Sequence, residues 1–379
     1  MRTPICDVFG IEFPIFAFSH CRDVVAAVSR AGGFGVLGAL AFSPEQLELE
    51  LKWIDENIDG KPYGVDVVMP ASYVGKEQGD LEKLDLAKMI PHEVKKFLDE
   101  LLEKYEVPPL PADEDAREGL LGWSDSGGRA LVDVAMKHPI KLIANALGPP
   151  PKDVIELAHG AGIQVAALIG RVDQALKQKE QGVDIIIASG YEAGGHTGEV
   201  TTLVLVPEVV DAVAPTPVLA AGGIGSGRQM AAAIALGAEG VWTGSIWLTT
   251  AESDYAPAMR DKLLAASSSD TVRSRCLSGK PARQLKTAFT DAWDRPDTPD
   301  PLPMPLQYLA CNEANARIYR SARNADSSAR ELVGTPVGQI VGRMNHVQPA
   351  RDVIYEMVQE YLDTMERMSR QLEDSEEGA

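Results

Sequence analysis

The sequence predicts an α/β protein that folds as a (β/α)8 TIM barrel, with a helical insertion after the third strand and a helical C-terminal extension. Three observations support this: eight short apolar runs, helical patterns between most of them, and strands that are apolar on nearly every residue. Such strands are typical of a parallel sheet covered by helices, and eight of these units favour a closed barrel. We expect the barrel in residues 1–70 and 139–268, the insertion in 71–138 and the extension in 269–379.

The candidate elements follow one another along the chain in a regular order. The candidate strands are residues 14–18, 34–39, 63–68, 140–145, 163–169, 183–188, 217–221 and 240–243. The helical patterns between and after them cover residues 22–31, 44–58, 151–160, 172–181, 203–213, 227–236 and 255–266. Without the insertion, the barrel lies near the lower end of the ~200 to 400 residues usual for this architecture.

The insertion carries an amphipathic helix, with apolar residues at helical spacing between Val94 and Tyr105. A polar, proline-rich loop follows at residues 108–115. The insertion leaves the C-terminal rim of the barrel, where active sites of this architecture lie. It is therefore interpreted either as a lid over the site or as an acidic decoration of the surface.

The extension shows no further strand pattern after about Glu252 and is expected to be helical. Its last helix has an apolar face that runs from Ile354 to Met365. This face predicts packing against the barrel or against a partner subunit. The C-terminal helices are therefore the candidate surface for a homo-oligomer.

Composition limits the class of partner. The chain has 379 residues, with 36 Lys and Arg against 55 Asp and Glu, and a net charge of −19. This charge repels phosphate backbones and anionic membranes, so nucleic acid and membrane are not expected as partners. There is no apolar leader and no run near the ~18 apolar residues of a membrane span, so a cytoplasmic location is expected. The four cysteines lack metal-ligand spacing, and no metal site is predicted.

One histidine is placed on a glycine-rich loop directly after a strand. The run 183–188 is apolar except for Asp184, and a loop with Gly194, Gly195 and Gly198 then delivers His196. Glycines allow positive φ and close approach of a ligand to the backbone, and imidazole titrates near neutral pH. His196 is therefore the candidate catalytic residue.

Two further turns lie at the ends of the seventh and eighth predicted strands. Gly222 and Gly223 precede a helix that Ser226 could cap, and Thr243-Gly244-Ser245 ends the eighth strand. Strands seven and eight of such barrels often share a phosphate site made of backbone N–H groups. These turns predict a phosphorylated ligand at the barrel mouth, beside His196.

Three segments carry a family resemblance. Glu192-Ala-Gly-Gly-His196-x-Gly198, Pro217-Val-Leu-Ala-Ala-Gly-Gly-Ile224 and residues 231–241 resemble the nitronate monooxygenase family, formerly called 2-nitropropane dioxygenases. The resemblance runs over the whole barrel, starting with Pro14-Ile15 and residues 26–37. It implies a (β/α)8 barrel that binds FMN noncovalently. The family includes nitronate oxidases, NAD(P)H-dependent quinone reductases and flavin enoyl-thioester reductases.

The resemblance implies roles for individual residues. His196 would be the catalytic base or would orient the substrate, Gly222 and Gly223 would bind phosphate, and so would Gly244 with Ser245. Gly194 would line the flavin. The remaining implied flavin contacts are Phe18, Asp66, Ser189, Trp242 and Thr243.

Several of these positions depart from the family's usual residues. The family usually has Asn at Asp66, Gln at Ser189 and Gln-Met at Trp242-Thr243, and residues 17–20 replace a common Gln-Ala-Pro-Met. A carboxylate at Asp66 cannot donate to a flavin carbonyl unless it is protonated. These changes affect substrate identity more than FMN binding, so a plain nitroalkane specificity is not expected.

Polar residues near the expected mouth have alternative interpretations. His20 and Cys21 either contact substrate or provide polarity at a helix entry, with Asp23 nearby as a cap. Trp242 is either a packing residue or a contact to the flavin edge. Glu192, four residues before His196, is a candidate to orient the imidazole.

Three functions remain open at this point. The first is an FMN monooxygenase that oxidises a nitronate or similar α-acidic small molecule with O2. The second is an FMN reductase that uses NAD(P)H on an enoyl thioester or quinone; the chain lacks a G-x-G-x-x-G fingerprint after a strand, which favours the first. The third is a non-redox barrel that binds a phosphorylated ligand.

Overall fold

The structure, a computed structural model, describes residues 1–69, 74, 83–111 and 125–377. Its central feature is a closed barrel of eight parallel strands. These are β1 Ile15–Ser19, β2 Phe34–Gly38, β3 Tyr63–Val67, β4 Leu142–Asn145, β5 Gln164–Ile169, β6 Ile185–Ser189, β8 Val218–Ala221 and β9 Gly240–Thr243. The order is β1-β2-β3-β4-β5-β6-β8-β9, and β9 closes on β1. The predicted barrel is confirmed, with each strand within two residues of its expected bounds.

Helices connect and cover these strands. They are α1 Pro4–Phe9, α2 Arg22–Arg30, α3 Pro44–Asn57, α4 Lys83–Lys88, α5 His92–Lys104, α6 Asp125–Ala135, α7 Lys152–Gly160, α8 Val172–Glu180, α9 Thr202–Val213, α10 Gly227–Ala235, α11 Pro257–Ala265, α12 Ala288–Trp293, α13 Leu306–Ser321 and α14 Ala350–Glu377. Local signals explain their starts. At α3, Ser43 and Gln46 form a reciprocal capping box and Pro44 follows the cap.

The barrel interior is filled by large apolar side chains, and α1 closes its N-terminal end. Phe9 of α1 packs edge-on against Phe16 and Phe34, at ring-centroid distances of 5.3 and 4.7 Å. Ile5 and Cys6 are also buried in this cluster. The opposite end, at the C-terminal ends of the strands, is the open mouth.

Three helices of the described ranges lie between β3 and β4. The predicted amphipathic helix is α5, which buries Val94, Leu98 and Leu101. Helix α6 packs against α3 and β3, and so covers the barrel wall between β3 and β4. The insertion also contacts the C-terminal extension, because Arg317 donates to the carbonyls of Val107 and Pro108. Much of the expected lid, and residues 112–115 of its proline-rich loop, lie outside the described residues.

The expectation that strands end near Glu252 is wrong. β10 (Thr271–Ser274) and β11 (Ala282–Leu285) form an antiparallel pair, and β11 also pairs with β7 (Gly195–His196). Each strand is at most four residues long, and β10 and β11 contain Arg273 and Arg283. No apolar alternation was therefore available to predict them. The rest of the extension is largely helical, as expected.

The last helix packs on the barrel through its first half. Ala350, Ile354 and Met357 of α14 are buried against α2 and α10, which confirms the packing predicted for the start of the apolar face. Farther along, Leu362 and Met365 are 46% and 44% exposed. The homo-oligomer expected through this helix stays a prediction. Among the described helices, none combines the length and the apolar character that a membrane span requires.

Candidate active site at the barrel mouth

Four side chains from different strands face the barrel axis near its open end. Phe18, Asp66, Ser189 and Trp242 alternate with residues that face the helices. Asp66 pairs with Gly38 on β2 and with Ala144 on β4, while Ser189 and Trp242 flank Ala221. The barrel therefore brings these four residues to one mouth, although they come from widely separated segments.

Aromatic rings form the floor of this mouth. Trp242 is only 6% exposed. Its ring is roughly parallel to those of Phe16 and Phe18, with centroids 6.4 Å away in both cases. Trp242 thus fills the barrel as a packing residue and, with Phe18, presents a flat apolar surface beneath the mouth.

Asp66 is a buried carboxyl at this mouth, only 4% exposed. Within the described ranges, no hydrogen-bond partner lies against its side chain. Burial raises the pKa of Asp66 to about 7, because a desolvated carboxylate is disfavoured. Near neutral pH the group therefore exists partly as a neutral acid that can donate a hydrogen bond.

This carboxyl gives a testable pH dependence. Its folded-state pKa is raised above the unfolded value, so its contribution to stability is greatest at about pH 4 and below and is lost as pH rises through about 7. We expect Asp66→Asn to raise the melting temperature of the apoprotein, and by more at about pH 8 than at about pH 5. The difference in unfolding free energy at alkaline pH is at most about 4 kcal/mol. An equal effect at both pH values, measured by thermal denaturation, would contradict this assignment.

The first of the two predicted phosphate turns follows β8. Gly222 and Gly223 have φ of +96° and +70°, a region that favours glycine. A Cβ at Gly222 would lie 2.9 Å from Thr202 Oγ1. Ser226 caps α10 as predicted, accepting from Gln229 N. The glycines are therefore required by the local backbone.

The second turn follows β9 and is tied to the C-terminal extension. Ser245 begins a short 3₁₀ helix, Ser245–Thr249, and its hydroxyl accepts a hydrogen bond of 2.8 Å from Gly338 N. Of the atoms in the described ranges, the nearest to a Cβ at Gly244 would be Phe18 Cδ1, at 3.9 Å. The backbone at Gly244 thus borders open space at the mouth.

The two turns together can bind an anion through their backbone. In the described part of the chain, no acceptor lies against the N–H groups of Gly223, Gly244 or Ser245. The first N–H of α10 is not available, because Gly227 N donates to the Glu360 carboxylate at 2.9 Å. The Glu360 carboxylate thus occupies part of the helix N-terminus that was expected to bind phosphate. The backbone N–H groups of the two turns remain as the candidate phosphate site.

Thr243 has a structural side chain. Its hydroxyl donates to the carbonyl of Phe16 at 2.9 Å and accepts from Trp247 Nε1 at 3.0 Å. It faces the helices and not the barrel axis. Any contact of Thr243 with a cofactor would therefore come from its backbone, and its predicted cofactor role is untested.

His196 lies on β7, next to a segment of the extension. Its Nε2 is 2.7 Å from Ser278 Oγ, and Ser278 is buried. Burial, together with the charge of nearby Lys280, lowers the pKa of His196 to about 4. The imidazole is therefore neutral at physiological pH. If His196 took up a proton, the resulting imidazolium would be poorly solvated and close to a second cation. His196 is therefore a weak base.

The sequence suggested that Glu192 orients His196, but its partner in the structure is Thr202. Its carboxylate accepts from both the N–H and the hydroxyl of Thr202, at 3.0 Å each. Thr202 is the first residue of α9. Glu192 thus supports the start of this helix and its negative charge suits the helix dipole.

The loop that carries His196 is fixed on both sides. Arg283 donates to Tyr191 O at 3.1 Å, and Arg273 donates to Thr197 O at 3.1 Å. The two guanidinium groups also lie 4.6 and 5.3 Å from the centre of the Tyr191 ring. The extension thereby positions the predicted catalytic loop.

Gly194 in this loop is enclosed by protein. A Cβ there would lie 2.7 Å from Gly338 N. The reason for glycine at this position is therefore close packing of two backbone segments. Contact of Gly194 with a flavin stays a prediction.

His20 is a second imidazole at the mouth. It is solvent-exposed, it lies edge-on to Phe18 at 5.1 Å, and its Nδ1 is 2.9 Å from Gly38 O. A carbonyl can only accept, so Nδ1 carries the proton and Nε2 is the acceptor in the neutral ring.

The cap of α2 is Cys21, without a side-chain cap bond, so Asp23 does not cap this helix. The Cys21 thiol donates to Glu252 O at 3.2 Å, and burial raises its pKa.

Sequence reasoning missed Ser278, Lys280, Arg273 and Arg283. These residues reach the His196 loop from about 80 positions farther along the chain. The turn Ser278-Gly279-Lys280-Pro281 was the one available signal, and Gly279 has a φ of +80°. A turn alone does not indicate which part of the barrel it approaches.

Comparison with known proteins assigns the chain to a family. The sequence profile described as nitronate monooxygenase matches residues 2–360. A protein of Mycobacterium tuberculosis (strain H37Rv), Rv1533, provisionally named a monooxygenase, is 56% identical over 366 residues, covering 96% of this chain and 98% of the relative. A protein of Staphylococcus aureus (strain Newman) named a probable nitronate monooxygenase is 29% identical, covering 96% and 99%.

Solved structures have the same fold. FabK from Thermotoga maritima superposes with a TM-score of 0.71 at 27% identity, covering 98% of this chain and 99% of that one. Nitroalkane oxidase from Streptomyces ansochromogenes gives a TM-score of 0.78 at 24% identity, covering 96% and 99%. The chain therefore belongs to the nitronate monooxygenase family and is an oxidoreductase.

Proposed function

We propose that the protein binds FMN at the barrel mouth and oxidises a nitronate, or a similar resonance-stabilised anion, with O2. The observation that carries the proposal is the pair of turns whose N–H groups, at Gly223, Gly244 and Ser245, meet no acceptor among the described residues. They lie at the C-terminal ends of β8 and β9, and the loop that carries the neutral His196 follows β6, the strand that pairs with β8. Family membership supports the oxidation of a nitronate.

The residues present fit FMN in chemical terms. The backbone N–H groups of the two turns suit a phosphate. The apolar surface of Phe18 and Trp242 suits a planar ring system. Asp66 and Ser189, both nearly buried, provide polar groups for the edge of that ring. When bound, FMN accepts electrons from the substrate and passes them to O2.

The state of His196 favours a substrate that is already ionised. A neutral imidazole can hydrogen-bond an anionic oxygen or nitrogen if it presents an N–H, and it does not have to take a proton. Abstraction of a proton from a neutral nitroalkane would instead create an imidazolium near Lys280, which its lowered pKa disfavours. We therefore infer that His196 orients the anion, and that the protein prefers nitronates to neutral nitroalkanes.

Anaerobic reduction of the reconstituted protein tests this function. The FMN-loaded protein is mixed without O2 with a nitronate, its neutral nitroalkane, NADH or NADPH, and the visible flavin absorbance is followed. We expect bleaching by the nitronate at a rate at least ~10-fold above that with the nitroalkane, and reoxidation on admitting air. Bleaching by NADH or NADPH alone would instead support the reductase, and a protein that takes up no FMN would support the non-redox barrel.

A further inference from the structure

The segment between β10 and β11 places a lysine beside His196. Ser278 Oγ is 2.7 Å from His196 Nε2, and it also lies 3.4 Å from the backbone N–H of Lys280. The chain then enters β11, where Ala282 pairs directly with His196. Ser278, Lys280 and His196 thus form one cluster, held by a side-chain hydrogen bond and a strand pairing.

Lys280 differs from the neighbouring cations of this small sheet. Arg273 and Arg283 donate to backbone carbonyls and both contact the Tyr191 ring. Lys280 is half-buried, but among the described residues no carboxylate or hydrogen-bond acceptor lies against its ammonium group. Burial lowers the pKa of Lys280, so this charge is not fully solvated.

A partly buried charge without a partner lowers the stability of the fold. Its presence here is explained if a ligand supplies the opposite charge. The cluster contains one cation and a neutral imidazole. A small anion with more than one acceptor atom can therefore pair with the ammonium group and accept a hydrogen bond from the imidazole at the same time.

We propose that Lys280 binds the anionic head group of the substrate, a planar oxyanion of the nitronate type, which lies between the Lys280 ammonium and His196. This inference rests on the proposed function and names the residue that selects the ionised substrate. Lys280 pairs with the charge that a nitronate carries and that the neutral nitroalkane lacks. Ser278 acts as a positioning residue, because it holds the imidazole beside this anion.

Binding of an inert anion tests the site independently of turnover. Nitrate, a planar oxyanion, is titrated into the FMN-loaded protein and the flavin difference spectrum is recorded. We expect Lys280→Met to raise the Kd for nitrate by at least about 10-fold, the effect of one lost charge-assisted contact, and Lys280→Arg to stay within about 3-fold of the parent. Lys286→Met is the matched control, since it removes the same charge from an exposed residue that is paired with Asp291. It should leave the Kd unchanged.

Kinetics and stability provide two further readouts. In Lys280→Met, the KM for a nitronate should rise by a similar factor. The rate with the neutral nitroalkane should not fall, because the charge that helps to lower the pKa of His196 is removed. The variant's melting temperature should equal or exceed that of the parent, because the substitution removes a half-buried charge that has no partner in the described part of the chain. A lower melting temperature together with an unchanged Kd for nitrate would show that Lys280 is structural and would overturn the proposal.

The outcomes separate this inference from the proposed function. If nitronates are oxidised by Lys280→Met with the parent KM, the role of Lys280 is wrong and the function stands. If nitrate binding depends on Lys280 but no nitronate reduces the flavin, the function is wrong and the anion site stands. If inorganic phosphate binds at Lys280 more tightly than nitrate does, the proposal of a planar head group is wrong. Lys280 would then bind the phosphate group of a larger ligand.

Discussion

Gly244→Val is expected to abolish FMN binding while the barrel stays folded. Among the described residues, a Cβ at this position meets nothing closer than Phe18 Cδ1, at 3.9 Å, and the φ of −130° lies outside the left-handed region that favours glycine. The valine methyl groups would therefore occupy open space at the mouth and not displace protein atoms. That space is where the phosphate would approach the N–H groups of Gly244 and Ser245. Loss of these contacts to a charged group weakens FMN binding by at least about 100-fold.

Fluorescence titration of apoprotein with FMN measures this effect, and circular dichroism checks the fold. Gly160→Val is the control, because a Cβ there also meets nothing within 4 Å, but Gly160 ends α7, outside the mouth. Gly223→Val is a less informative variant: its φ of +70° makes any side chain strained, and a Cβ would lie 3.2 Å from Glu192 Cβ. Full FMN occupancy in Gly244→Val would show that the phosphate lies elsewhere.

His196→Asn is expected to slow flavin reduction without releasing the flavin. With a neutral nitroalkane or another carbon acid, the parent rate is already low, because an imidazolium near Lys280 is disfavoured. It should fall by at least a further ~100-fold, since the substrate's proton then has no positioned acceptor. With the preformed nitronate the loss should be smaller, about 10-fold, since only one hydrogen bond to a charged group changes. Asn keeps some hydrogen-bonding capacity but cannot accept a proton at neutral pH.

Anaerobic stopped-flow measurements of both substrates give these two ratios. Ser278→Ala is a useful companion variant, because it removes the hydroxyl at 2.7 Å from Nε2 and leaves the imidazole in place. It should show part of the His196→Asn loss and a changed pH profile of reduction. If His196→Asn reduces the flavin as fast as the parent with every productive substrate, the histidine is structural.

The barrel could be predicted from sequence because its strands carry an unambiguous signal. Strands such as β2 and β6 are buried at every position, so apolar runs and the turns between them define their bounds. The N-cap of α10 at Ser226 and the apolar face of α5 were also predictable, because each depends only on residues that are close together in the sequence. By contrast, β7 has two residues, and its pairing with β11 depends on a segment about 90 residues away.

The sequence could predict which strand ends form the site, but not which side chains contact one another there. The structure brings Asp66, Ser189 and Trp242 to one mouth, since strand ends of a parallel barrel meet at one rim, and their cofactor contacts stay predictions. The partner of Glu192 was not predictable, because spacing within a loop does not give the direction of a side chain. The approach of Ser278 and Lys280 to His196 depends on how the extension folds back over the barrel, and no local pattern records it.

A crystal structure of the protein reconstituted with FMN is the most direct test of this account. We predict that the phosphate oxygens lie within hydrogen-bond distance of the backbone N–H groups of Gly223, Gly244 and Ser245. The flavin ring should cover the mouth above Phe18 and Trp242, with His196 and Lys280 facing its reactive side. A phosphate bound away from these two turns, or a flavin ring separated from His196 by protein, would contradict the account.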